Sequence, residues 1–241
     1  MWPFKSVDKL SQSGMFDGFT DWHSHILPGI DDGIQTMEEA LDTLAAFERH
    51  GVKKVWLTPH VMEDCPNTTE GLRQRFAELQ QAYTGGIELR LASENMLDSL
   101  FEERLKTNDF LPIGDDGQHL LVETSYVNPP FGMREMIDDA FRLGYTIVLA
   151  HPERYRYMEE EDYRKWKRRG VLFQTNYFSL IGGYGETARK KAEFLLREGM
   201  VNLTGSDVHR LFQFEHNIEK SPKRQSALNH LVDVAQNPKL V

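Results

Sequence analysis

Residues 19 to 25 read Phe19-Thr20-Asp21-Trp22-His23-Ser24-His25, a short apolar run that ends in two histidines one residue apart. At an extended strand end, residues i and i+2 point to the same side, so His23 and His25 can grip one cation. Alone the pair is weak, since two solvated histidines make the same pattern. Its weight comes from repetition. Apolar, β-branched segments recur at 52–60, 87–94, 119–125, 146–152, 170–176 and 201–209. They end in Thr58-Pro59-His60, Ser93-Glu94, Val122-Glu123, Ala150-His151-Pro152 and Gly205-Ser206-Asp207-Val208-His209. Only the segment ending Gln174-Thr175-Asn176 brings no histidine or acid.

Helical spacing fills the intervals. In 36–50 the residues Met37, Ala40, Leu41, Leu44 and Phe47 share one face, and Gly51 stops the helix. Similar segments cover 69–83, 133–143, 160–169 and 185–198, with a shorter one at 97–106. Strand and helix alternate at about the length of a βα unit, which predicts a parallel α/β protein. An open sheet spreads its strand ends over tens of Å, whereas a barrel converges them on one mouth. Six ligand-bearing strand ends therefore favour a seven-stranded (β/α) barrel with a metal site at its C-terminal mouth. Residues 19–241 read as one such domain, closed by one or two short helices and a tail after His209. Residues 1–18 read as a loosely attached leader.

The composition fits this frame. The chain has 241 residues, a formal charge of −9 and 40% apolar residues. That is an ordinary globular composition, and its acidity argues against a non-specific nucleic-acid binder. No apolar window approaches the roughly 18 residues of a membrane span, and no secretory signal is visible. The single Cys65 excludes a disulfide framework and a multi-thiolate zinc site, and suits a reducing, cytoplasmic setting. Oligomeric state is left open.

Nine side chains share one spatial destination: His23, His25, Asp32, His60, Glu94, Glu123, His151, Asp207 and His209. Each has a plainer reading. Asp31 and Asp32 before Gly33 could form only a turn; Glu94 could cap a helix; Glu123 could pair locally. Nine coincidences are implausible, and a multinuclear site is expected. His50, His119, His216 and His230 read as structural or surface residues.

These motifs resemble the PHP (polymerase and histidinol phosphatase) metallophosphoesterases, in particular the bacterial tyrosine-protein phosphatases linked to capsule and exopolysaccharide synthesis. The resemblance covers residues 19–210 and rests on 23–33, Thr58-Pro59-His60, 150–155, 172–182 and 205–209. It implies a distorted (β/α)7 barrel with three divalent metals, manganese foremost and iron or zinc as alternatives. Carried over by position, His23, His25, Glu94 and Asp207 hold one metal. Glu94, Glu123 and His151 hold a second, and Asp32, His60 and His209 a third. It further implies hydrolysis of phosphotyrosine, with a bacterial tyrosine kinase as the partner. This chain departs from relatives in having Asn95 where a Tyr is frequent and Phe214 where some carry an Arg. Arg210 is a candidate substitute for that Arg. The leader is a further departure.

Cations would let Asp32, Glu94, Glu123 and Asp207 crowd together and would lower the pKa of bound water from 15.7 towards about 7. Arg154 and His209 are the expected catalytic side chains. The planar fork of Arg154 matches two phosphoryl oxygens, its plainer reading being a salt bridge with Glu159 or Glu160. Tyr155, Tyr126, Tyr157 and Phe131 could stack a substrate ring or merely pack the rim, and Pro129-Pro130 stiffens their loop. Other chemistries lack their residues. A thiol phosphatase needs an arginine six positions after Cys65, where Gly71 stands. Gly183-x-Gly185-x-x-Ala188 comes late in the chain, has no acid at the end of the next strand as a dinucleotide site would, and reads as a loop. A small-molecule phosphatase of the same fold and a non-catalytic binding protein are the alternative functions.

Overall fold

The computed structural model describes residues 7 to 240. Nine parallel strands occupy seven positions around a barrel: β1 (Thr20–Ser24), β2 (Lys54–Leu57), β3 (His60–Val61), β4 (Glu88–Leu91), β5 (Glu94–Met96), β6 (His119–Glu123), β7 (Thr146–Ala150), β8 (Leu172–Asn176) and β9 (Leu203–Gly205). The second and third expected strands are each broken in two. At Pro59, which has no N–H to give a ladder, β2 leaves β1 and its continuation β3 pairs with β5. The third strand divides where Ala92 N–H donates to Leu57 and Ser93 N–H donates to Leu111.

The distortion has a location. β4 does not pair with β6; the segment 111–113 wedges beside them, and Ile113 N–H donates to the His119 carbonyl at 2.8 Å. At the other seam Ser24 bridges Val208 in parallel, with Asp207 N–H on the His23 carbonyl and His25 N–H on the Val208 carbonyl. That seam joins the last strand to the first.

Two apolar clusters divide the interior. Trp22, Trp56, Ala92, Ile113, Leu121, Val148, Ala150, Leu172 and Leu203 fill the barrel, while Val55, Leu57, Leu120, Val122, Ile147, Leu149 and Phe173 face the helices. Alternation along a strand then places Glu123 above Leu121, and Gln174 and Asn176 above Leu172, on the inner wall. The packed cluster is the floor on which the site stands.

The outer helices are α1 (Met37–Arg49), α2 (Thr69–Ala82), α3 (Ser99–Thr107), α4 (Met133–Arg142), α5 (Glu160–Arg168) and α6 (Glu186–Arg197). Their starts follow local chemistry: Thr36, Thr68 and Asp98 side chains accept from backbone N–H groups of α1, α2 and α3. Among the described residues, no helix is long and apolar enough to cross a membrane.

Both ends of the described chain pack on the barrel, and the expectation of a loosely attached leader needs correction. The tail forms α7 (Leu211–Ile218) and α8 (Gln225–Gln236), which pack on the barrel through buried Phe214, Ile218, Leu228 and Leu231. The leader is bound, at least from residue 7; residues 1–6 lie outside the described residues. Leu10, Met15 and Phe16 are buried, and Leu10 N–H donates to Lys220 at 3.0 Å. The reason is aromatic packing. Phe16 meets Phe19, Tyr177 and Phe214 edge-on, and Phe214 lies 4.4 Å from Phe47. Truncation of this shared anchor, Phe214→Ala, is expected to cost about 3–5 kcal/mol in denaturant unfolding. A loss below 1 kcal/mol would show that the N-terminal segment and α7 are not one packed unit.

Candidate metal centre

All nine expected ligand side chains meet at the C-terminal mouth. His23 Nε2 lies 3.1 Å from His25 Nε2 and 3.1 Å from Glu94 Oε2. Asp207 Oδ1 closes this group at 3.7 Å from His23 and 3.4 Å from His25. Glu94 Oε1 meets His151 Nε2 at 2.9 Å, while Glu94 Oε2 and Glu123 Oε1 stand 3.2 and 3.0 Å from His60 Nδ1. Asp32 Oδ1 lies 3.5 Å from His60 Nε2 and 3.4 Å from His209 Nε2. Four overlapping groups result: His23–His25–Asp207, His23–Glu94–His151, His60–Glu94–Glu123 and His25–Asp32–His60–His209. His60 thus faces two groups, one with each ring nitrogen.

These separations suit cations. Ligands about 2.1 Å from an ion at tetrahedral or octahedral angles lie roughly 3.0–3.4 Å apart. Three of the clustered atoms are also buried without a hydrogen bond: His60 Nδ1, Glu94 Oε2 and Glu123 Oε1. Orphaned buried acceptors are costly unless something else binds them. A divalent ion is the partner that oxygen and imidazole ligands together would select. The residues fit the group.

The backbone is shaped for this crowding. His151 and Asp207 adopt the left-handed region, at φ 34° and 51°, which non-glycine residues hold only under constraint. Gly205 lies so close to the His23 backbone that a Cβ would sit 2.6 Å from His23 N, and one on Gly33 would sit 2.3 Å from the His25 carbonyl. Each glycine lets two ligand-bearing segments touch.

Sequence reading missed the residues that aim the ligands. Asp31, read as turn, accepts from His25 Nδ1 at 2.8 Å and from His60 N–H at 3.0 Å, fixing the His25 ring with Nε2 inward. The strand without a ligand supplies amides instead. Gln174 Oε1 holds His23 Nδ1 at 2.9 Å, and Asn176 Nδ2 donates to Asp207 Oδ2 at 2.7 Å. Glu153, buried, accepts from Asn176 N–H and Ser179 Oγ and locks the end of β8. An available signal was parity: Gln174 and Asn176 sit on the inward face.

Arg154 is at the mouth, but neither Glu159 nor Glu160 is its partner. Its Nη1 donates to Asp207 Oδ2 at 2.7 Å, and its guanidinium lies against the rings of Tyr126 and Tyr184, at 4.4 and 4.3 Å. Tyr155 is a correction. It is wholly buried, donating to the Ala150 carbonyl and accepting from Thr124 N–H, so it cannot stack a substrate. Tyr157 lies against it and bonds Thr124 Oγ1. Tyr126 is 38% exposed and Phe131 fully exposed on the loop after β6. Phe214 is in the core, whereas Arg210 lines a cavity of about 500 Å3 with Asp32, Arg154, Tyr184, Asp207, His209 and Phe212. Arg210 Nη1 is tied to the carbonyls of Asp32 and Gly33. His209 Nδ1 meets the Asp207 carbonyl at 2.9 Å, which makes Nδ1 the donor and leaves the Nε2 lone pair facing Asp32. His119, by contrast, pairs with Asp116 away from the site.

Charge in the cluster is self-balancing. Burial is the largest influence on His23 and disfavours its cation, but Glu94 and Asp207 outweigh it and lift the pKa to about 9. His25 is raised against burial by Asp31 and Glu94, and His60 against burial and His25 by Glu94 and Glu123. Glu94 and Asp207 are correspondingly held low despite burial. A group whose folded pKa is raised contributes stability below its unfolded pKa and loses it as pH climbs through the folded one. Protein stripped of cations is therefore expected to lose melting temperature between pH 6.5 and 9, with His23 alone worth on the order of 3 kcal/mol. With cations restored the loss should vanish, because deprotonated imidazoles bind metal. Differential scanning calorimetry with and without chelator reads this, and parallel curves would contradict it.

Comparison with known proteins bears on the same residues. A family model described as "Capsular polysaccharide synthesis, CpsB/CapC" matches residues 19–231. The tyrosine-protein phosphatase CpsB of Streptococcus agalactiae is 28% identical over 210 residues, covering 79% of this chain and 83% of that protein. The tyrosine-protein phosphatase YwqE of Bacillus subtilis is 25% identical over 203 residues, covering 79% and 77%. A solved structure from work on YwqE and on CpsB of Streptococcus pneumoniae, described as unique metal-dependent tyrosine phosphatases, superposes with a TM-score of 0.72. It is 22% identical and covers 89% of this chain and 86% of its own. Histidinol phosphate phosphatase of Lactococcus lactis, with zinc, L-histidinol and phosphate, superposes with a TM-score of 0.52 at 14% identity, over 91% and 94% of the two chains. Both likenesses bear on the fold, and both agree with the distorted barrel.

Proposed function

Because the chain belongs to the capsular polysaccharide synthesis CpsB/CapC family, we propose that it is a metal-dependent protein-tyrosine phosphatase. The observation that carries the reading is the convergence of nine oxygen and imidazole ligands beside one arginine fork. The relatives named above as tyrosine-protein phosphatases support the substrate class. A phosphotyrosine protein is the substrate, and a bacterial tyrosine kinase of polysaccharide synthesis is the partner this reading names. It places the protein in the cytoplasm, in keeping with an unpaired Cys65.

His23, His25, Glu94 and Asp207 would hold one divalent ion, Glu94, Glu123 and His151 a second, and Asp32, His60 and His209 a third, with manganese the first choice. When bound, such ions make water nucleophilic at neutral pH and neutralise phosphoryl charge for in-line displacement. The chain's own groups do the rest. Arg154 commits one N–H to Asp207 and keeps the remaining edge of its fork for phosphoryl oxygens. Gln174 and Asp31 hold the His23 and His25 rings so that both Nε2 lone pairs face inward. Asn176 steadies Asp207. His209 would hold the third ion through Nε2, with its Nδ1 engaged by the Asp207 carbonyl. A phenolate leaving group with a pKa near 10 needs less protonation than an alkoxide, which favours a phosphotyrosyl ester over a phosphoseryl one.

The test compares turnover of a phosphotyrosyl peptide, a phosphoseryl peptide and histidinol phosphate by protein reconstituted with manganese, iron or zinc. Preference for the phosphotyrosyl peptide is expected. Preference for histidinol phosphate would move the protein to the small-molecule class, and no turnover with two or three ions bound would make it a binding protein.

A further inference from the structure

The glycine-rich stretch Gly182-Gly183-Tyr184-Gly185 has no place in the ligand set, yet it delivers one side chain to the mouth. Gly182 and Gly185 take φ of 81° and 92°, and Gly183 N–H and Gly185 N–H close successive turns on Phe178 and Gly182. Tyr184 emerges between them. Its ring lies 4.3 Å from the Arg154 guanidinium carbon, and its hydroxyl donates to Asp207 Oδ2 at 3.2 Å. The Tyr126 ring lies against the same guanidinium, at 4.4 Å.

We propose that Tyr184 is a positioning residue which, with Tyr126, clamps the Arg154 fork edge-on to the phosphoryl site. This deepens the phosphatase reading and rests on it. Arginine has four rotatable bonds, and a fork that must rotate into place loses part of its binding energy to ordering. Two rings packed against the guanidinium restrict the positions it can take. Asp207, held by Asn176, then anchors the fork through Nη1. Stacking on aromatic faces is worth about 0.5–2 kcal/mol per ring, which at 1.4 kcal/mol per tenfold corresponds to roughly 2- to 30-fold in phosphate affinity.

The experiment is a double-mutant cycle on the metal-loaded full chain. It reads both para-nitrophenyl phosphate turnover and calorimetric binding of inorganic phosphate. Tyr184→Leu is expected to lower phosphate affinity and kcat/KM about tenfold with metal content unchanged, while Tyr184→Phe, which keeps the ring, stays within about threefold of the parent. In an Arg154→Ala background, Tyr184→Leu should add nothing. Equal factors in both backgrounds would overturn the proposal, and so would Tyr184→Phe falling as far as Tyr184→Leu. Should Tyr184→Leu fail to fold, Tyr126→Leu runs the same cycle and is judged by the same criterion. A parent that binds phosphate through Arg154 and Tyr184 yet hydrolyses no ester would overturn the phosphatase reading alone.

Discussion

Glu94→Gln is expected to abolish turnover, by at least about a thousandfold, and to remove bound metal. The carboxylate is the hub of the centre: Oε2 reaches His23, His25 and His60 within 3.2 Å, and Oε1 reaches His151 at 2.9 Å. Glutamine keeps the volume but exchanges one anionic oxygen for an N–H donor that repels a cation. Two of the three assigned ions lose a ligand together. Metal content by plasma mass spectrometry, alongside turnover, reads the result. A Gln variant that keeps all its metal would mean that Glu94 is not shared between ions.

Arg154→Ala should behave in the opposite way on metal. Removing the fork is expected to cost on the order of 10²–10³-fold in kcat/KM, the usual loss when an oriented donor to developing charge is deleted. Asp207 keeps Asn176 and Tyr184 as donors on Oδ2, so its position and its Oδ1 contacts should persist and metal content should not change. His151→Ala is the contrast, losing both metal and activity. Equal metal loss in the two variants would make Arg154 a support for Asp207 rather than a phosphate ligand.

The ligands were legible in the sequence because they sit where a parallel barrel must converge them, at strand ends with one-residue spacing. His23 and His25 announce themselves through period-two geometry, and Asp207 and His209 repeat the spacing although Asp207 turns out of extended backbone at φ 51°. The orienting groups were harder to read for a physical reason: amides such as Gln174 and Asn176 look like ordinary strand residues until the neighbouring strand is placed. Tyr155 misled because its hydroxyl has two backbone partners, Ala150 and Thr124, that only the fold supplies. Pro59 could have signalled the broken second strand, since no ladder continues through it. The bound N-terminal segment was invisible for another reason. Leu10, Met15 and Phe16 are too few and too scattered to show periodicity, and their burial depends on α7, some 200 residues away in sequence.

The seam between the first and last strands also dictates when the centre comes into being. Ser206 N–H reaches Asp21 across 185 residues of sequence, and Asp207 N–H reaches the His23 carbonyl beside it. Contacts that distant form late, after the loop-closure entropy of the whole chain has been met. During synthesis His23 and His25 emerge first, while Asp207 and His209 emerge last, so a nascent chain offers cations only half a grip. Metal would then be captured by a finished barrel instead of guiding its assembly, and a chain cut short before Asp207 would be left both unclosed and unarmed.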